Sequence, residues 1–352
     1  MSKYRWAILG IGAFSPKRGG ANAIAYAHAE AIKRNSDTFE LVAGAARTQQ
    51  NLDDFSREYP CRTYQDLYEL LKKEKPDGVT VSTYASDRKN HVLAAIHEGV
   101  RFILIEKPLS LSMREAEEIK CEAEKYGARL FVTFQRRYGM PFEWVRTLCL
   151  SGKLGRISLL EMRQPCSNLL DFGPHFINSA LYFTDDPEPL SVMAVQENAD
   201  SIPWHGILTE KYMESVIEFK NGMRIFFSGS PDLSIDIPSI RICGDKGAAE
   251  LYMDKLPGMN SIFRCLTENG WENPESTENF HHGDQDKYLY FERCFRDLGE
   301  CIKYDLPCRI DLKHGYLTQR ILLGIYASAQ QNRKIIFNKN EIDPVFSLQN
   351  LS

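Results

Sequence analysis

The run Val100-Arg101-Phe102-Ile103-Leu104-Ile105-Glu106-Lys107-Pro108 decides the fold. A short apolar segment bounded by turn signals reads as a buried strand, of the kind found in parallel sheets covered on both faces. It stops on an acid, a base and a proline. In an open α/β sheet, ligands bind outside the carboxyl ends of the strands. Lys107 is therefore delivered to the ligand end, and Pro108 stiffens the backbone beside it. Lysine is seldom buried without a partner, so its place needs a reason: a salt bridge capping the sheet, or a part in chemistry.

Around this strand the first third of the chain alternates strand and helix signals. Trp6-Ala7-Ile8-Leu9 is strand-like and breaks at Gly10-Ile11-Gly12. The alanine-rich stretch 21–33 is helix-prone, and Phe39-Glu40-Leu41-Val42-Ala43 is a second strand. Leu67, Leu70 and Leu71 share one face of a short helix over 66–73; a Pro76-Asp77-Gly78 turn and the strand Val79-Thr80-Val81-Ser82-Thr83 follow. A helix over 88–98 stops at Gly99, an ordinary residue just past a helix end. Beyond the opening run, Ser112-Met113-Arg114-Glu115 is a capping box for a helix reaching Gly127, and Leu130-Phe131-Val132-Thr133-Phe134 closes the series. Repeated βα units imply right-handed crossovers and a parallel sheet. Residues 1–137 are therefore expected to form a doubly wound, dinucleotide-binding Rossmann domain.

Past Tyr138 the texture changes. A helix over 141–150 ends at Gly152, and strand-like runs then dominate: 156–162, 191–195 and 214–219. The last meets Asn221-Gly222, a strong hairpin signal, before Met223-Arg224-Ile225-Phe226-Phe227. These strands suggest a mostly antiparallel sheet, with helical patterns returning over 288–303 and 313–331. Residues 138–352 are expected to form one substrate-binding and oligomerisation domain, so the fold class is α/β with two domains.

The 352 residues, 43% hydrophobic and 26% charged with a net charge of −4, describe an ordinary globular protein long enough for two domains. Mild acidity without a basic block argues against nucleic acid or an anionic membrane as a partner. No apolar run is long enough to span a bilayer, and the N-terminus lacks a signal-peptide core. Nine cysteines, an odd count without CxxC pairs, fit reduced thiols in a cytoplasm. The evenly spaced Cys294, Cys301 and Cys308 read as small apolar positions around one helix and the loop after it, and no metal site is expected.

Two further motifs bear on chemistry. Gly10-Ile11-Gly12 lies where a backbone must turn tightly and approach a pyrophosphate that a helix N-terminus attracts. The usual third small residue falls at Ser15, after which Pro16-Lys17-Arg18-Gly19-Gly20 is inserted. This reads as a lengthened phosphate loop with Lys17 or Arg18 near phosphate, or simply as a solvated basic loop. The second strand ends in Ala45-Ala46-Arg47-Thr48, with no acid to hold a ribose 2′-hydroxyl. Arginine there accommodates a 2′-phosphate, which favours NADP over NAD, although Arg47 could be merely exposed. In Asp171-Phe172-Gly173-Pro174-His175, an i, i+4 spacing puts Asp171 and His175 on one helix face. A histidine can take a hydroxyl proton and a neighbouring carboxylate can orient it. The plain alternative is a capping aspartate and a core histidine at a helix start.

In order, the GxG strand-turn, Glu106-Lys107-Pro108 and Asp171-x-Gly173-x-His175 resemble the Gfo/Idh/MocA oxidoreductase family over nearly the whole chain. His91 ahead of a helix, Leu154-Gly155-Arg156-Ile157 and the Asn221-Gly222 hairpin belong to the same likeness. The resemblance implies a Rossmann domain followed by an α/β domain with a large open antiparallel sheet, commonly used for dimer or tetramer contacts. It implies an NAD(P)-dependent dehydrogenase or reductase acting on a secondary alcohol of a sugar, inositol or related polyol. Lys107 would contact the substrate hydroxyl and the nicotinamide ribose, His175 would be the general base, and Asp171 would support it. The implied cofactor residues are Gly10, Gly12, Ala13, Phe14, Ser15, Arg47, Thr48, Thr83, Tyr84, His91, Glu106, Lys107 and Gln135. The implied substrate contacts are Lys107, Arg137, Asp171, His175 and Asn178; Arg137 could grip a carboxylate or phosphate, or pair with an acid between domains. Departures are the loop insertion, Pro165-Cys166-Ser167-Asn168-Leu169-Leu170 in place of a glycine-rich approach, and Tyr84-Ala85 where threonine-proline is common. Two rival expectations are a redox-neutral glycosidase or epimerase with retained NAD, and a non-catalytic dinucleotide sensor. Trp204, His205, Tyr212, His281 and His282 are further pocket candidates.

Overall fold

The computed structural model describes residues 3–13, 24–165, 168–197, 202–233, 239–252, 263–268, 270–272, 286, 288–337, 342 and 344. By contacts the chain divides into two units, Met1–Tyr138 with Asp286–Tyr316, and Gly139–Gln285 with Leu317–Ser352.

The first unit is built on six strands: β1 (Tyr4–Leu9), β2 (Phe39–Ala45), β3 (Arg62–Tyr64), β4 (Gly78–Val81), β5 (Phe102–Ile105) and β6 (Arg129–Val132). They lie in the order β3-β2-β1-β4-β5-β6, every pair parallel. The apolar runs are sealed on both faces: Ile103, Leu104 and Ile105 of β5 are fully buried, as expected of a parallel sheet between helix layers. The intervening helices are α1 (Ile24–Arg34), α2 (Gln49–Glu58), α3 (Leu67–Glu74), α4 (Ala85–His97) and α5 (Met113–Tyr126). The capping box before α5 forms, with one variation. Ser112 Oγ accepts the Glu115 N–H at 3.1 Å, while the Glu115 carboxylate accepts from Leu111 N, one residue before the cap.

Three local expectations shift. Gly78 is not a turn residue but the first residue of β4, and a Cβ there would meet the Trp6 indole at 2.2 Å; the glycine makes room for the ring. The helix expected over 88–98 begins three residues earlier, at Ala85, because Arg88 sits inside it as a buried residue. The short, polar α2, with only Leu52 and Phe55 buried, has too thin an apolar stripe to announce itself.

By contacts, Asp286–Tyr316 clusters with the first sheet, although it lies within the 138–352 stretch expected as one domain. The helix Leu289–Tyr304 explains why. It buries Phe291, Cys294, Phe295, Leu298 and Cys301, and the Phe295 ring meets Trp6 and Phe39 edge-on at 5.8 and 5.4 Å. Cys294 and Cys301 are thus core positions on that helix. Cys308, in the loop after it, donates to Asp297 at 3.3 Å, and Tyr138 donates to the same carboxylate at 2.7 Å.

The second unit holds α6 (Met140–Leu150), β7 (Ile157–Gln164), α7 (Leu169–Phe183) and the strands β8 (Pro189–Glu197), β9 (Ile202–Trp204), β10 (Ile207–Thr209), β11 (Tyr212–Phe219), β12 (Arg224–Gly229), β13 (Ile240–Gly244), β14 (Ala248–Leu251), β15 (Phe263–Thr267) and β16 (Gly270–Glu272). The Leu289–Tyr304 helix is α8; α9 (Leu312–Gln331) and β17 (Ile335–Ile336) complete the chain. Nine strands form one sheet in the order β16-β15-β14-β13-β7-β12-β11-β8-β17, antiparallel except for β7 beside β12. The Asn221-Gly222 signal does join β11 to β12. Of the pair only Gly222 has positive φ, +85°, so the connection is a three-residue loop with a left-handed glycine rather than a mirror-image two-residue turn.

Candidate active site

The first unit carries the dinucleotide end. The N–H groups of Gly10 and Ile11 both donate to the Ala45 carbonyl, at 3.0 and 2.9 Å. Ser82, just past β4, donates from Oγ to the Gly10 carbonyl at 3.0 Å. The strand order reverses between β1 and β4, which is where a doubly wound sheet opens its ligand crevice. Gly10 has φ +100°, and a Cβ there would stand 2.7 Å from the Thr83 nitrogen. The glycine lets the turn after β1 pack on the Thr83 backbone at the mouth of that crevice, the place where a doubly wound sheet takes a dinucleotide. Gly12 is half-buried and Ala13 exposed. Phe14 and Ser15, with Lys17 and Arg18, lie outside the described residues.

Around the crevice, Thr83 Oγ1 and His91 Nδ1 are 2.9 Å apart. Burial pushes His91 below its ordinary value, against Asp87 and with Arg47 and Arg88 adding to the shift; the ring is neutral at pH 7. Arg47 and Thr48 are exposed at the end of β2, and the Arg47 guanidinium lies 5.8 Å from the centre of the Tyr84 ring. Gln135 is half-buried on a single 3-10 turn, Gln135–Tyr138. Arg137, on the same turn, is buried, and Arg309 donates to its carbonyl at 3.3 Å.

At the end of β5 the side chains part. Lys107 is half-buried and its bond to Pro108 is cis. The Glu106 carboxylate turns inward instead: it accepts from His28 Nε2 on α1 at 2.7 Å and from the Lys107 N–H at 3.2 Å. Arg88 of α4 donates to the Thr83 carbonyl at 2.6 Å and to the Pro108 carbonyl, tying the ends of β4 and β5. Burial pushes the Arg88 guanidinium down to about 10, against the pull of Glu106, so it stays charged at neutral pH. His28 and Arg88 escape a sequence reading, because a lone histidine in an alanine-rich helix and one arginine in a mixed helix carry no pattern.

The second unit carries the other half on α7. Asp171 and His175 do share its first turns. Asp171 is half-buried, while His175 is 8% exposed. A helix start leaves N–H groups without intrahelical partners, and here two of them are met by side chains. The Asn168 side chain accepts from Asp171 N at 3.2 Å. Leu169 N donates to Glu210 Oε1 at 2.5 Å. Glu210 in turn accepts from the Tyr326 hydroxyl at 2.7 Å. Burial pushes the Glu210 carboxyl up, opposed by these hydrogen bonds. Gly173 lets the Leu169 side chain fold back, since a Cβ would come within 2.4 Å of it. Asn178, expected to touch substrate, is buried and donates to Thr318 of α9 at 2.9 Å. It anchors the helix instead of facing an open surface. Glu210, Tyr326 and Thr318 lie far from the motif in sequence and are not signalled by it. Trp204 packs on His205 with ring centres 4.8 Å apart, and Tyr212 donates to Asp232; His281 and His282 lie outside the described residues.

Two outcomes follow from these contacts. Gly10→Ala, strained at positive φ and pressed on the Thr83 backbone, is expected to cost more than about 1 kcal/mol in urea unfolding and to abolish nicotinamide-dinucleotide binding by fluorescence titration; an unchanged affinity would contradict the cradle. Glu210→Leu strands a buried N–H and a buried hydroxyl, and denaturant curves should show a loss of about 1–3 kcal/mol.

Comparison with known proteins covers both halves. Residues 4–134 match the GFO_IDH_MocA family model, described as an oxidoreductase family with an NAD-binding Rossmann fold. Residues 163–337 match the corresponding C-terminal alpha/beta domain. D-glucoside 3-dehydrogenase of Escherichia coli (strain K12) is 24% identical, over 95% of this chain and 97% of that protein. The NAD(+)-dependent scyllo-inositol 2-dehydrogenase of Bacillus subtilis (strain 168) is 24% identical, over 88% of this chain and 92% of that one. Among solved structures, the WlbA dehydrogenase from Bordetella pertussis, in complex with NADH and UDP-GlcNAcA, superposes with a TM-score of 0.75 at 17% identity, over 95% of this chain and 99% of the other. Aldose-aldose oxidoreductase from Caulobacter crescentus, complexed with glycerol, gives 0.75 at 20% identity, over 95% and 100%. With a dinucleotide crevice in the first unit, the DxGxH helix in the second and both family models matched, the chain belongs to the Gfo/Idh/MocA family of NAD-binding oxidoreductases.

Proposed function

We propose that this oxidoreductase moves a hydride between a nicotinamide and a secondary alcohol of a sugar, inositol or related polyol. The observation that carries the reading is the pair Asp171 and His175, one turn apart at the start of a helix whose Leu169 and Asp171 N–H groups are taken up by Glu210 and Asn168. In the oxidative direction the carbinol hydroxyl gives its proton to His175, and Asp171 holds the imidazole in register. Lys107 steadies the alkoxide as charge develops on oxygen. A bound nicotinamide dinucleotide supplies the hydride acceptor for the carbinol carbon, which becomes a carbonyl. Gly10 and its neighbours would hold the pyrophosphate, and Thr83 and His91 the adjoining part of the cofactor. Arg47, exposed and with no acid beside it, favours NADP for the adenosine end. Arg137 and the face of α7 bearing Asp171 would meet the substrate.

The same reading includes a homo-oligomer. Met193, Val195, Val216 and Phe226 are 42%, 55%, 37% and 40% exposed, and the register places Val216 beside both Met193 and Phe226. A contiguous apolar face on an open sheet calls for a partner, and a second copy fits it. Light scattering is expected to give a dimer or tetramer mass, reduced by Val216→Lys; a monomeric wild type contradicts this part.

Lys107→Ala and His175→Asn are expected to lower kcat by about a hundredfold or more with melting temperatures close to wild type. The cofactor is identified by mass spectrometry of the nucleotide released on denaturation, then by comparing NADP and NAD affinities of the emptied protein. Wild-type turnover in either variant would overturn the roles. Stoichiometric retained NAD(H), with no net reduction, would point to a redox-neutral cycle in place of a simple dehydrogenase.

A further inference from the structure

His28 occupies a core position at 0% exposure, where an apolar residue would cost less. Its ring is wedged edge-on between Phe291 at 5.2 Å and Phe295 at 6.0 Å. Its Nδ1 has no hydrogen-bond partner among the described residues. The polar contact recorded for the ring is Nε2 to the Glu106 carboxylate, and since a carboxylate only accepts, the ring donates. The other Glu106 oxygen accepts the Lys107 N–H. A chain of two hydrogen bonds therefore runs from α1 to the backbone of the lysine that ends β5. The helix α1 is the first described element after the GxG turn and the inserted loop.

We infer that His28 is a positioning residue for Lys107: by holding the Glu106 carboxylate in place, it fixes the backbone from which Lys107 acts. The inference rests on Lys107 having the role given above. Among the described residues, the titratable groups that face Glu106 are His28 from α1, Arg88 from α4, Lys107 from its own strand end and the Cys294 thiol from α8. Burial alone pushes the Glu106 carboxyl up. The His28 hydrogen bond leads the influences that hold it below its ordinary value, with the fields of His28, Lys107 and Arg88 adding to it. Without that bond Glu106 takes up a proton at a higher pH, and Lys107 loses a fixed neighbour.

The test compares wild type, His28→Phe, which fills the pocket without donating, and His28→Gln, whose amide N–H stands where Nε2 does. In His28→Phe, kcat is expected to fall by about a hundredfold with cofactor KM little changed, and the acid limb of the kcat–pH profile, which carries the His175 ionisation in wild type, to move as Glu106 adds a second ionisation to it. His28→Gln should restore most of both. A merely structural role would lower stability without moving the acid limb, and equal damage by Phe and Gln with an unmoved limb overturns the inference. Glu106→Gln is isosteric and covers the case in which His28→Phe does not fold: it keeps the packing but removes the carboxylate, so kcat should fall with cofactor KM little changed. Wild-type kcat and an unaltered pH profile in Glu106→Gln overturn the inference. A second readout needs no substrate. Labelling of Lys107 by trinitrobenzenesulfonate, mapped by peptide mass across pH, should change in His28→Phe and recover in His28→Gln. If wild type turns over no polyol, the proposed function fails and the labelling decides the inference alone, an unchanged Lys107 profile overturning it.

Discussion

One buried guanidinium holds the first unit's ligand end together. Arg88 bridges the carbonyls that follow β4 and β5, so the two strand ends beside the crevice cannot move independently. Burying a charge is costly unless it is paired and hydrogen-bonded, and here the compensation is shared. Glu106 is the anion set among Arg88, Lys107 and His28. Removing Glu106 leaves the Arg88 charge without its anion in a dry site. That is why an acid, a base and a proline stand in sequence at the end of an apolar strand: the acid is structural support turned inward, and the base is left half-exposed.

The second unit reaches rigidity by a different route. Its helix α7 begins at a residue with φ +78°, a conformation that asparagine tolerates better than most residues. The following donors are satisfied by side chains from other elements, Glu210 and, through it, Tyr326. Asn178 ties the middle of the helix to α9. Asp171 and His175 thus sit on an element held by side-chain contacts on either side of the motif, which is what the proposed acid–base roles would need.

Much of this was legible in the sequence because the signals were local. Period and flanking turns announced the parallel strands, the EKP run marked the ligand end of β5, and the spacing of Asp171 and His175 placed them on one helix face. What escaped depended on long-range packing. The amphipathic pattern of α8 says that Phe295 and Cys294 are buried, but not that Trp6 and Phe39 cover Phe295, so its packing on the first sheet was not foreseen. Gly78 looked like a turn until the Trp6 ring was found over it. Glu106 and Asn178 stand in motifs, but the residues they bond to, His28 and Thr318, lie 78 and 140 residues away. Polar groups that face inward need a partner, and no local pattern names it.

The central claim is that this chain passes a hydride directly between a nicotinamide and a carbinol carbon. The measurement that bears on it most directly is isotope transfer. The protein would be incubated with NADPH or NADH carrying deuterium at nicotinamide C4 and with keto-inositols and ketosugars, and the products analysed by mass spectrometry and NMR. The account predicts deuterium at one carbinol carbon of a reduced product, transferred from a single face of the nicotinamide and absent in His175→Asn. Deuterium retained wholly in the cofactor across the substrate series, by a folded protein that binds the dinucleotide, would contradict it.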